Sequence, residues 1–178
     1  MISRFGTPMD NHMVNKHYNR YEKLPKILSD AILHADRPRE GQMASVKENE
    51  GLKLMRSVIA GNEDKVIYIQ VGAIWCPGTR HEIPFQVEMA EVYKDQPLRI
   101  VNFYLDNGSD GTNPFATNIE TYHLTDEKRL GLDPILHTGR GIPFYILINK
   151  EGVIVDFGEH LRPSVPKTRE IIDRYLEE

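Results

Sequence analysis

DKVIYIQVGAIWCPGTRHEIP, residues 64–84, is the stretch whose reading decides the fold. Its first half, VIYIQVGAI (66–74), is short and rich in β-branched residues, the pattern of a strand buried on both faces. It runs without a polar linker into Trp75, Cys76, Pro77 and Gly78. Residues 79–93 then take up helical spacing, with Ile83, Val87, Ala90, Val92 and Tyr93 predicted to face inward and Pro84 predicted to kink the run. Cys76 is the only cysteine, and it falls where the strand ends and the helix begins. There the free backbone N–H groups and the positive end of the helix dipole favour thiolate over thiol. Pro77 suits the first helical position, where no N–H partner is needed, and Trp75 would shield one side of the sulfur. The same residues also fit a plainer reading, in which Cys76 is a buried and inert small hydrophobe.

Working outward, SVKENEGLKLMRSVIAG (45–61) predicts a helix with Leu52, Leu54, Met55, Val58 and Ile59 on its apolar face and Gly61 as its terminal cap. LRIVNFYL (98–105) predicts a second buried strand, and DNGSDGTNP (106–114) a loop. Short helices are expected around ATNIETYH (116–123) and TDEKRLGL (125–132). GIPFYILINKEGVIVDFGE (141–159) predicts a hairpin, with strands at 143–149 and 152–157 joined by a turn at Asn149, Lys150, Glu151 and Gly152. The last segment, 165–178, predicts an amphipathic helix carrying Val165, Ile171, Ile172, Tyr175 and Leu176. At the other end, residues 1–20 are polar and aperiodic, 21–34 predict a short helix, and 36–42 is a breaker cluster. Strand, helix, strand, connecting helix, hairpin and helix together imply an α/β fold: a mixed sheet with helices on both faces. We divide the chain into an N-terminal arm and helical extension at 1–45 and a sheet-bearing domain at 46–178.

Composition narrows the partners. The chain has 178 residues and a net charge of −4, so no basic surface for nucleic acid is implied. No apolar run reaches the roughly 20 residues of a membrane span, and residues 1–20 lack the apolar core of a signal peptide. A single cysteine excludes an internal disulfide and leaves the redox compartment open. The seven histidines are scattered without carboxylates at ligand spacing, so no metal and no cofactor is implied.

With these residues in view, the segment 64–84 resembles the active-site stretch of thioredoxin-fold proteins, specifically the TlpA/ResA-like thiol-disulfide oxidoreductases. That family reads strand, Trp-Cys-x-x-Cys, then Arg, Glu, a hydrophobic residue and Pro; Arg80, Glu82, Ile83 and Pro84 reproduce the tail. GIPFYILINKEGVIV resembles the second family signature, and LRPSVP (161–166) a segment that some members carry before the last helix. The resemblance covers roughly 46–178. It implies a thioredoxin-like fold in which Pro143 is a cis-proline facing the active site, with Ile142 before it. It also implies a groove between Trp75–Gly78 and Ile142–Pro143 that pairs with an extended peptide, and work outside the cytoplasm.

Two departures bear on function. Where the family has its second, resolving cysteine this chain has Thr79, and where many members have a buried acid it has Gln70. Dithiol chemistry is therefore not expected. A monothiol protein remains, exchanging disulfides with a protein or small thiol through Cys76. The alternative is a redox-inactive module that uses the groove beside Pro143 to hold a peptide or partner. Thr79 has two readings of its own: it donates a hydrogen bond to the thiolate, or it caps the helix. His81 either adds positive charge near the sulfur or is a solvated helix position. Asp133, Pro134, His137, Thr138, Gly139 and Arg140 would line the groove ahead of Pro143. The expected site is thus Cys76, Thr79 and Pro143 at the chemistry, with Trp75, Pro77, Gly78 and Ile142 binding substrate.

Overall fold

The structure is a computed structural model, and it describes residues 49–105, 119–136 and 141–178. The arm at 1–45, the helix expected at 21–34, the loop at 106–114 and groove residues 137–140 lie outside the described residues.

At the centre is β1 (Val66–Gly72), every residue of which is buried. It pairs in parallel with β2 (Leu98–Tyr104) on one edge and antiparallel with β4 (Phe144–Ile148) on the other. Outside these lie β3 (Glu120–His123), parallel to β2, and β5 (Ile154–Phe157), antiparallel to β4. The sheet order is β3-β2-β1-β4-β5. This is the expected mixed sheet, with one strand more than the sequence reading supplied. Residues 120–123 were expected in a helix and instead form the edge strand. Thr121 and Tyr122 suit a half-buried pleat, and Arg99 on β2 reaches Glu120 at 2.5 Å.

Helices cover both faces. The first, α1 (Glu50–Ala60), packs with α3 (Asp126–Leu136) over Ile67, Ile69 and Val71. The other face carries α2 (Pro77–Val92) and α4 (Pro166–Glu177), which bury Val66, Tyr68, Ile100, Tyr145 and Leu147 with Met89 and Ile172. Alternation along a strand explains the division: odd residues of β1 serve one core and even residues the other. In α1, Leu52, Met55 and Val58 are buried as expected, while Leu54 and Ile59 are only partly covered. Asn49 caps this helix by accepting from Leu52 N at 2.9 Å and ties it to α3 by donating to Gly131 O at 3.3 Å.

The helix α2 turns differently from the sequence expectation. Ile83 is buried, but Val87 is 42% exposed and Val92 56%. The inward face instead reads Thr79, Glu82, Ile83, Gln86, Met89 and Tyr93. Most of its polar atoms have partners, Gln86 Oε1 being the exception among the described residues. Both carboxyl oxygens of Glu82 accept from Ser164, one from its backbone N–H at 3.0 Å and one from its hydroxyl at 2.8 Å. Gln86 Nε2 donates to Asn102 Oδ1 at 2.8 Å. The helix continues through Pro84, which is solvent-exposed.

Two stability predictions follow from this packing. A methyl group on Gly51 would lie 2.4 Å from the Lys128 carbonyl and 2.7 Å from Leu132 Cγ. Gly51→Ala, although it raises helix propensity by up to ~1 kcal/mol, is expected to destabilise the fold by about 1–3 kcal/mol, read as a lower denaturant midpoint. Ser164→Ala leaves one buried oxygen of Glu82 without its donor and is expected to cost about 1–3 kcal/mol. A denaturant midpoint equal to wild type would show that the Glu82–Ser164 tie contributes nothing.

Candidate functional site

β1 ends at Gly72, and four residues later Cys76 is the N-cap of α2. Its backbone is extended (φ −79°, ψ 120°), and the helix starts on Pro77. The tight link between strand and helix is held by the Cys76 N–H, which donates to Ala73 O at 3.0 Å. No side chain caps the helix start, so the sulfur faces the end where N–H groups lack intrahelical partners.

The second half of the site comes from the chain entering β4. The Ile142–Pro143 peptide is cis. Cys76 Sγ donates to the Ile142 carbonyl at 3.5 Å. The Cβ position of Gly78 lies 2.9 Å from Pro143 Cδ and 3.8 Å from Cys76 Sγ. A side chain there would strike the proline ring, so glycine is what lets the first helical turn sit against Pro143. Cys76, Gly78, Ile142 and Pro143 therefore meet at one point. Pro77 and Gly78 are exposed beside it, and Trp75 stands out into solvent at 65% exposure. Cys76 itself is 8% exposed, a sulfur at the floor of the site.

The hydrogen bond that the structure gives Thr79 is to the end of β1. The residue is fully buried, and its hydroxyl oxygen accepts from the Ala73 N–H at 3.3 Å. A Cβ on Gly72 would fall 2.7 Å from that oxygen, so the absence of a side chain at Gly72 makes the room. Thr79 thus fastens the strand end to the helix underside. His81 is exposed, with its ring 5.7 Å from that of Phe85 on the same helix.

Sequence reasoning missed the polar floor below the sulfur. Gln70, Thr79, Glu82, Gln86 and Asn102 are all buried. In the sheet, Gln70 lies directly opposite Asn102 on β2 and Tyr145 on β4, and Asn102 lies opposite Thr121 on β3. These residues make one rung across four strands on the α2 face. The available signal was the spacing of Thr79, Glu82 and Gln86, which puts three polar residues on one helix face. Among the described residues no cluster of His, Cys, Asp and Glu could hold a metal, and no helix is long and apolar enough to cross a membrane. Chemically, the site offers a lone nucleophile at a helix start, beside a backbone carbonyl and a proline ring.

No protein-family model matches the chain. No curated protein matches it either. Solved structures do. A protein of Bacteroides vulgatus described as a candidate thiol-disulfide oxidoreductase is 31% identical, with a TM-score of 0.57, over 67% of this chain and 78% of the other. A crystal structure of a similarly described B. vulgatus protein is 25% identical, with a TM-score of 0.54, over 65% of this chain and 82% of the other. A thiol:disulfide interchange protein of the thioredoxin family from Chlorobium tepidum shares the fold at 20% identity, with a TM-score of 0.55, over 66% of this chain and 83% of the other. The strand that delivers a cysteine to a helix start, the proline facing it and these likenesses agree: this chain belongs to the thiol-disulfide oxidoreductases of the thioredoxin-like superfamily.

Proposed function

We propose that this protein is a monothiol member of its family, exchanging disulfides with a protein or small-thiol substrate through Cys76. The observation that carries the reading is the placement of Cys76 Sγ at the N-terminus of α2, 3.5 Å from the Ile142 carbonyl and against Pro143. In the reaction the Cys76 thiolate attacks one sulfur of a substrate disulfide. A mixed disulfide forms on Cys76 and the other substrate sulfur leaves as thiolate. Thr79 cannot resolve this intermediate. A second, external thiol attacks it, regenerates Cys76 and carries away the first substrate sulfur as a new disulfide. The groove beside Trp75, Gly78 and Ile142 would hold the segment of substrate next to its disulfide. The resemblance to TlpA/ResA-like proteins supports a site of action outside the cytoplasm, in the periplasm or cell envelope.

The second reading, a redox-inactive module that holds a peptide in this groove, is favoured by Thr79. It occupies the resolving position yet is buried and bonded to Ala73.

The two readings separate in one assay. Exchange between glutathione and 2-hydroxyethyl disulfide is measured with the full chain and with Cys76→Ser. The monothiol reading expects acceleration by the wild type and a fall to the uncatalysed background in the variant. Equal rates for the two proteins would overturn it. Peptide binding retained by Cys76→Ser, with no wild-type catalysis, would support the module. A further expectation concerns Gly78→Ala, whose methyl group would displace the helix start from Pro143. Exchange is expected to fall roughly tenfold through misplacement of the sulfur, while iodoacetamide still labels Cys76.

A further inference from the structure

In the polar layer below the Cys76 turn, three buried side chains have polar atoms with no protein partner among the described residues: Gln70, Tyr145 and, at Oε1 alone, Gln86. Gln70 and Tyr145 are each 0% exposed, yet neither amide atom of Gln70 nor the Tyr145 hydroxyl makes a hydrogen bond within the protein. They are direct neighbours, because the β1–β4 register sets Gln70 opposite Tyr145, which brings same-face side chains about 5 Å apart at Cβ. An unpartnered buried donor or acceptor costs on the order of 1–3 kcal/mol, and native proteins answer such a cost with an internal water held by two to four polar groups.

The location of the pair matters. Tyr145 is the second residue of β4 and follows Pro143 by two residues, and Pro143 meets the Gly78 turn that carries the sulfur. The charged and titratable groups acting on the Tyr145 hydroxyl are Glu82 from α2, Arg162 from the segment before α4, Tyr104 from β2 and Cys76 itself. Tyr68 on β1 stacks on the same ring at 5.7 Å, but its own hydroxyl already donates to the Leu161 carbonyl at 2.5 Å. Burial first, and the Glu82 carboxyl second, push the Tyr145 phenol far above its ordinary value, with Arg162 opposing. Tyr145 is therefore a neutral hydroxyl throughout the working pH range, a group that can donate but does not ionise.

We propose that Tyr145 and Gln70 hold an internal water beneath Cys76, and that through this water the Tyr145 hydroxyl donates a hydrogen bond that stabilises the Cys76 thiolate. Tyr145 is then a positioning residue. No proton leaves the phenol and no covalent bond changes; the water presents a donor to the sulfur as charge develops on it. The inference rests on the reading of Cys76 as the working sulfur, but it is tested without any exchange substrate.

The test is the rate of iodoacetamide alkylation of the full chain as a function of pH. With one cysteine in the sequence, the profile reports Cys76 alone. Tyr145→Phe is expected to move the profile to higher pH by about 0.5–1 unit, which slows alkylation at neutral pH by about three- to tenfold. Gln70→Leu, which removes the other holder of the water, is expected to move it the same way. Tyr68→Phe is the control: it breaks a bond to Leu161 one rung lower on the sheet and is expected to lower the unfolding temperature without moving the profile. Superimposable profiles for wild type and Tyr145→Phe would overturn the proposal, most sharply if Tyr145→Phe also unfolded at a higher temperature, as the loss of an idle buried hydroxyl would cause. A profile that moves in Tyr145→Phe but not in Gln70→Leu would overturn the shared water. Failure of the exchange assay with an intact profile shift would refute the function and leave this inference standing.

Discussion

Backbone pairing on both edges of β1 fixes where everything else can be. The strand is saturated by β2 on one side and β4 on the other, and its side chains are buried on both faces. A strand held in this way has no freedom of register, since a slip of one residue would exchange its two cores. Its C-terminal end is therefore a fixed point, and the helix that grows from it places a sulfur there. The register with β4 settles the rest: Val71 opposite Phe144 puts the cis Ile142–Pro143 peptide just beyond the strand end, level with the helix start. The meeting of Cys76 with Pro143 is a consequence of sheet pairing, made possible locally by the missing side chain of Gly78.

The two cores have different characters. The α1/α3 side is apolar, with Leu52, Met55, Val71, Phe103 and Leu132 in one cluster. The α2/α4 side is apolar only in its lower half. Toward the sulfur it becomes a layer of amides, hydroxyls and one carboxyl. Such a layer costs stability unless its members are bonded. Glu82 with Ser164 meets that condition, Gln86 meets it at Nε2 through Asn102 but not at Oε1, and Gln70 and Tyr145 do not meet it within the described residues. Under the proposed function the layer has a physical use: dipoles and donors behind Cys76 would act on the sulfur through a medium of low dielectric constant.

What was legible in the sequence follows the same division. β1, β2 and the hairpin announced themselves through β-branched runs and turn residues, because burial on two faces leaves little choice of side chain. The strand-to-helix turn at Cys76 was legible in Trp75, Pro77 and Gly78, whereas the cis Ile142–Pro143 peptide was implied only by the family resemblance. The inward face of α2 was not. Val87 and Val92 attracted the apolar assignment, whereas the true face includes Glu82 and Gln86, whose partners come from residues far along the chain. β3 was missed for a related reason: ETYH is four half-buried residues at an edge, and its identity depends on the presence of β2 rather than on any pattern of its own. Tyr145 was not singled out in the sequence, since its hydroxyl acquires meaning only from the register that sets it opposite Gln70.

The exposed indole of Trp75 has an optical consequence. It is the sole tryptophan in the chain, it adjoins Cys76, and most of its surface is open to water. The protein's intrinsic indole emission therefore originates within one residue of the sulfur, and its colour reflects local solvation there. Whatever settles into the groove would dehydrate the ring and shift that light toward the blue. The molecule thus carries a built-in fluorophore beside the proposed groove, and no dye is needed to follow its occupancy.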